Sequence, residues 1–348
     1  ATFPDLSSTG AGPSSGTAQP GTVNVNAGDI YRLGGTASIT GGTLTSSGDL
    51  INISSGSLSP TGTMLSITSS GNLSVTGNLA TLTGGSSLTV GGTLLTKSGT
   101  GTLIIGGNLL NLSGASSVTT GGPVLDLTNS TLSLSGTVLR LADGSTATNT
   151  AGPRFKLTNS SLTASALARF EGSGNVQNFV GSLLDLTGST LTVQLLGEVV
   201  GSVTITRTLS AGQPFIQLAN STINLTNPTA FSFATLAAFN NPSLTPLTQA
   251  GTAIAATGPA SAINLTNTSL AVLSGGIGGL TLTDTASSLI QLANTTVTQT
   301  GTEEGLLEAY DSVTVLSTAP LISLTAATID STTTTTPSPM VLVGTGSG

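Results

Sequence analysis

The chain has no cysteine, no histidine and no tryptophan, and only two tyrosines, Tyr31 and Tyr310. Without cysteine there is no disulfide framework and no thiolate metal site. Without histidine as well, no transition-metal site is expected, since Cys and His are the main ligands of such sites. The chain also lacks the usual base for activating a serine. Cations are scarce too: seven Lys and Arg face fourteen Asp and Glu, for a net charge of −7. So few cations cannot build a basic patch, which excludes nucleic acid as a partner. No apolar run is long enough to cross a bilayer, so the sequence contains no membrane-spanning helix.

What the chain does have is aliphatic bulk among small polar residues. Hydrophobic residues make up 37% and charged residues 6%. Disorder needs the opposite balance, so the chain is expected to bury a core. Its 348 residues leave room for several domains or one repeat array.

The array is written in one recurring phrase. "VLDLTNSTLSLSG" starts at Val124, "RFKLTNSSLTA" at Arg154, "LLDLTGSTLTV" at Leu183 and "FIQLANSTINL" at Phe215. Further copies start at Ala262 and Leu289. Inside the phrase, Leu125 and Leu127 alternate with Asp126, and Leu132 and Leu134 with Ser133. That is strand periodicity. "TNS" and "SGT" supply Asn and Gly, which tolerate the positive φ of a corner. The second apolar residue of each unit falls at Leu50, Leu65, Ala80, Leu95, Leu110, Leu125 and Leu139. The best copies are about twice as far apart, at Leu125, Phe155, Leu184 and Ile216.

Charge favours the longer repeat. If the rung spans two of these units, Asp126, Lys156 and Asp185 fall in one column, and Arg140 and Glu171 in another. If it spans only one, Arg would stack on Lys and Glu on Asp, and strands about 4.8 Å apart would bring like charges together. The expected fold is therefore all-β: a right-handed parallel β-helix, with rungs of about 30 residues built from two half-rungs of about 15. Residues 1–21, rich in Pro, Gly and Ser, are expected to form a flexible arm. Residues 22–348 are expected to form a single solenoid. Four prolines and three phenylalanines at 226–261 mark an excursion from it.

Chemistry-bearing motifs are few. "GPSSG" at 12–16 matches a nucleophile elbow, but it lies in the arm and has no base. "TLLTKSG" at 93–99 approximates a phosphate loop, with Thr96 where that loop needs glycine and no helix after it. Glu303, Glu304, Glu308 and Asp311 read as a solvated acidic loop. Asp126 and Asp185 sit two rungs apart with Lys156 between them, a charge ladder rather than a pair of hydrolytic carboxylates. Asn-x-Ser/Thr recurs at Asn129, Asn159, Asn220, Asn267 and Asn294. Here Asn is read as the corner residue, stacked into a hydrogen-bonded ladder, rather than as a glycosylation acceptor. Outward positions mix Thr with Ser, Asn, Asp, Lys and Gln, so no uniform threonine array of the ice-binding kind is legible. No catalytic, cofactor or metal residue is expected, and so no enzyme.

"GGTASITGGTLTSSGDL", "GGSSLTVGGTLLT" and "GTGTLIIGGNLLNLSG" resemble the repeat regions of filamentous-haemagglutinin-like adhesins and autotransporter passengers. The resemblance implies a secreted β-helix with an extracellular role in adhesion or matrix. The chain begins at Ala1 without an initiator Met, which is read as a mature chain after signal-peptide removal. No amphipathic cap is legible at either end. An uncapped solenoid would offer free strand edges there, which points to head-to-tail self-assembly. The expected function is a non-enzymatic subunit of an extracellular filament, fibre or sheath. The alternative is a monomeric adhesin or glycan-binding rod, with cell-surface or matrix glycans as partners.

Overall fold

A computed structural model describes residues 23–25, 30–33, 37–40, 42–208, 214–225, 237–239, 254–266, 271–274, 280–283, 288, 290–301, 307–310, 313–316, 319–333 and 341–344. Among these residues there is no helix, and the strands pair in parallel along the axis of a β-solenoid. One ladder runs through Ala37, Leu65, Leu95, Leu125, Phe155, Leu184 and Ile216, at nearly constant spacing. This is the longer of the two periods, and the shorter one has a different meaning. Leu95 is hydrogen-bonded in register with Leu65 and Leu125. Ala80 and Leu110 belong to a separate ladder, where they pair with each other.

Each rung therefore presents four short faces in turn. In one rung these are Leu95–Ser98, Thr102–Ile105, Leu110–Leu112 and Ser117–Thr120. They are called the first to fourth faces below. Strict alternation sends Leu125 and Leu127 inward, where both are fully buried, while Asp126 stays partly exposed. Stacking then puts Leu58, Leu88 and Val118 in one interior column, and Leu73, Leu103 and Leu132 in another. Each such side chain contributes roughly 1.5–3 kcal/mol on burial.

After Ile216 the rungs lengthen. The ladder continues through Ile254, Ile290 and Ile322, and the steps to Ile254 and Ile290 are wider than any before them. The added length carries extra strands. Ala237–Phe239, Ala271–Ser274, Leu307–Tyr310 and Val341–Gly344 form a second parallel sheet, and Leu280–Thr283 pairs with Val313–Leu316.

The expected excursion at 226–261 is corrected only at its end. Residues 254–261 lie within the strand Ile254–Thr266, in register with the rungs on both sides. Proline looked like an interruption because it cannot donate to a ladder. Pro259 in fact sits at a register shift between Thr257 and Ser261, beside Gly258 with φ +100°, a bulge where proline is tolerated. Glu308, expected in an acidic loop, lies instead in a strand, in register with Val272 and Leu342. The remainder of 226–253, apart from 237–239, lies outside the described residues. So do the arm at 1–21, Asn267, Glu303, Glu304 and Asp311.

Candidate functional site

The polar residues of this rod fall into three settings: its corners, its interior and its outer faces. At the corner between the first and second faces, Asn129, Asn159, Asn220 and Asn294 all adopt positive φ, between 48° and 51°. Gly99, Gly188 and Gly258 take the same place in other rungs. Asn is among the few side chains that accept this conformation, because its short amide does not crowd the backbone. These asparagines are exposed.

The corner residue's own N–H donates to the next rung's backbone, and the side-chain bonds between rungs come from the serine that follows it, which turns inward. The Ser130 N–H donates to Ser160 Oγ at 3.1 Å, Ser160 to Ser189 at 3.0 Å, and Ser189 to Ser221 at 3.1 Å. Each hydroxyl in turn donates to a carbonyl two residues back. A similar column, Ser86, Ser116, Ser145 and Asn175, lines the corner between the third and fourth faces. A ladder through amide side chains does form, but at the corner between the second and third faces. There the Asn78 N–H donates to Asp49 Oδ1 at 2.7 Å, and the Asn108 N–H to Asn78 Oδ1 at 2.7 Å. The Thr137 N–H donates to Asn108 Oδ1 at 2.8 Å. The ladder was expected at Asn129 and its equivalents; at that corner the amide oxygens of Asn159 and Asn220 lie instead against Gly188 and Gly258 of the next rung.

Asn159→Val is therefore expected to destabilise the protein by roughly 1–2 kcal/mol, the cost of a β-branched residue in the left-handed region. Asn159→Gly should be close to neutral. Urea denaturation followed by circular dichroism measures both.

Two cations are inside. Lys97 takes the inward position between Ile67 and Leu127 and is fully buried. Its ammonium donates to the carbonyls of Ser69, Ser98 and Gly99 at 3.1–3.2 Å. In this rung the corner reads "SGTG", with no inward serine, and the lysine supplies the donor instead. Burial lowers its pKa from 10.5. The resemblance of "TLLTKSG" to a phosphate loop ends here, since that lysine is enclosed by the core. Arg154 is also fully buried, in a corner between Val124 and Leu183. Its Nη1 donates to the Asn178 carbonyl at 3.1 Å, and its guanidinium lies 5.8 Å from the centre of the Phe179 ring. Nε and Nη2 have no hydrogen-bond partner. Burial pushes its pKa down to about 9. A signal for Lys97 was present in the alternation, since "LTK" stands where "LDL" stands elsewhere. Nothing in the sequence marked the corner that encloses Arg154.

On the outside, Lys156 is in register with Asp126 on one side and Asp185 on the other. Its Nζ lies 3.8 Å from Asp126 Oδ2. A pair of this exposure contributes no more than about 1 kcal/mol. Burial raises the Asp185 pKa, and Lys156 pulls against the rise.

The second expected column is corrected. Arg140 is in register with Arg169, and Glu171 with Ala142 and Val200. Glu171 therefore falls beyond Arg169, further along the strand than the column of Arg140. It reaches back and pairs with both arginines, while Arg169 also meets Glu198 at 3.2 Å. The bond from Arg140 is the main reason that the Glu171 pKa is depressed. Two stacked arginines are tolerated because carboxylates hold them on either side.

The arrangement brings stacked columns together and draws no nucleophile, acid and base to a shared point among the described residues. No family model, curated protein or solved structure matches the chain.

Proposed function

We propose that this chain is a non-enzymatic structural rod whose copies stack end to end into an extracellular filament or sheath. One observation carries the proposal: the first and last described rungs of the main ladder are written alike. "ASITGGTLTS" at 37–46 and "ISLTAATIDS" at 322–331 share their alternation, their corner length and most of the polar residues between the apolar ones. The strand starting at Ala37 pairs with Leu65–Thr68, and that starting at Ile322 with Ile290–Gly301. Among the described residues, neither has a partner on its other side. Leu321 and Leu324 are 36% and 39% exposed, whereas Leu127, Leu157 and Leu186, inner equivalents of Leu324, are at 0%. A first rung laid on this last rung would continue the ladder in register. Such a head-to-tail contact does not close on itself and propagates as a filament. The resemblance to secreted adhesin repeats supports an extracellular setting.

The test is Ile322→Lys with Leu324→Lys, with wild type and variant compared by negative-stain microscopy and sedimentation. Filaments of wild type and single rods of the variant are expected. Wild type that stays monomeric at high concentration would overturn the filament and favour an adhesin or glycan-binding rod.

A further inference from the structure

Read along the chain, the outward residues mix hydroxyls, amides and charges. Sorted by face, the charges separate; the fourth face is also uncharged from 57–60 to 146–149, but its outward hydroxyls there are half-buried apart from Thr89. Asp126, Lys156 and Asp185 stand on the first face, and Arg140, Arg169 and Glu198 on the third. The second face includes 43–46, 72–75, 102–105, 131–134, 161–164, 190–193, 222–225 and 262–265. These segments contain no ionisable side chain, and the face acquires one only at Asp330 in the last described rung. Their outward positions form two parallel rows, in pairs such as Thr131 and Ser133, Ser161 and Thr163, and Thr190 and Thr192. Thr102, Thr131, Ser133 and Thr163 are exposed, and Ile104 is 50% exposed among them.

We propose that this second face is an ice-binding surface, adsorbing to ordered water through its two rows of hydroxyls. Rungs repeat at about 4.8 Å, and alternate residues on one strand are about 6.6 Å apart, so the rows form a two-dimensional grid on a rigid sheet. Those spacings are of the order of the oxygen spacings in ice. A threonine offers a hydroxyl beside a methyl, which can anchor one water and cover the next. Charged side chains would hold their own hydration shells and break the match, and these segments have none.

Part of the grid is already locked. Asn264 Nδ2 donates to Asn224 Oδ1 at 2.7 Å, and Asn224 Nδ2 to Thr192 Oγ1 at 3.2 Å. Side chains fixed before contact lose less entropy on binding.

Other occupants fit less well. Sugar surfaces are gripped by aromatic rings stacked on the sugar, and these second-face segments have none. A lateral protein interface centres on aromatic or Arg anchors, also absent there. The face lies along the side of the rod, so the inference is independent of end-to-end stacking.

The experiment measures thermal hysteresis and ice recrystallisation with the whole chain. Thr131→Lys with Thr163→Lys alters the second face. Thr89→Lys with Thr119→Lys alters the fourth face as a control. Circular dichroism and sedimentation confirm that each variant is folded, and Thr131→Ser with Thr163→Ser retains the hydroxyls. Wild type, the serine variant and the fourth-face variant are expected to arrest ice growth, and the second-face lysine variant to fall to the level of buffer. The end-rung variant Ile322→Lys with Leu324→Lys is expected to keep its effect as single rods. The inference is overturned if wild type leaves ice growth unchanged, if both lysine variants lose the effect equally, or if the effect disappears with filaments. It is also overturned if the second-face variant loses only side-by-side association of rods.

Discussion

Gly121→Val is expected to unfold the central rungs. Gly121 occupies a corner where successive turns come close together. Its N–H donates to the Val90 carbonyl at 2.8 Å, and that of Gly122 to the Gly92 carbonyl at 3.1 Å. A Cβ built on Gly121 would overlap the carbonyl oxygen and carbon of Gly91. The obstacle is backbone, and ladder bonds pin it from both sides, so no side chain can rotate away. Overpacking a well-filled site costs about 1–3 kcal/mol and sometimes more. A clash with pinned backbone belongs at the upper end, at about 3 kcal/mol. Because each rung contacts only its neighbours, a break there divides the array. Urea unfolding should show an earlier or split transition. Gly42→Val, where nothing lies within 4 Å of the added Cβ, should change little. A Gly121→Val protein that unfolds like wild type would refute the close approach.

Arg154→Leu has the opposite sign: it should stabilise the protein, by about 1–4 kcal/mol. The guanidinium is fully buried, without a carboxylate partner among its described contacts. Removing it from water costs several kcal/mol, and its two unpartnered donors add to that cost. Against this stand one hydrogen bond to Asn178, worth about 1.5–3 kcal/mol, and the Phe179 contact, worth about 2 kcal/mol. Leucine would suit the site, which lies between Val124 and Leu183.

The effect should depend on pH. The folded-state pKa is about 9, well below that of a free guanidinium, so between the two the unfolded chain binds more protons than the folded one. Wild-type stability then rises with pH relative to the variant. The gap between Arg154→Leu and wild type should be widest below about pH 9 and narrow above it. Chemical denaturation across a series of pH values on both sides of that pKa measures this. A variant less stable than wild type at neutral pH would mean that the two contacts outweigh the burial.

The phrase "LDLTNSTL" contained the strands, the corner and the inward leucines, because alternation and a residue tolerant of positive φ are local properties. The charge column of Lys156 followed from the repeat length alone. Arg140 and Glu171 were misplaced because one residue more or less in a corner shifts the register of everything after it: Ser133 to Thr137 takes one residue more than Thr163 to Ala166, their equivalents in the next rung. Pro259 was misread for a related reason: only the neighbouring rungs reveal a bulge that accommodates it.

By itself, then, the sequence determined that this protein is a parallel β-solenoid with an aliphatic interior and a rung twice the length of its shortest repeat. Spacing, alternation and composition leave little else for such a chain to do. Tertiary structure decided which residues are neighbours around the rung. It turned the serine or threonine after each described corner asparagine inward and enclosed Arg154. It gathered charges on the first and third faces, while leaving the second uncharged along most of the rod and the fourth uncharged from 57–60 to 146–149. Those outcomes depend on corner geometry, because each corner rotates the strand that follows it, and a linear pattern carries no record of that rotation.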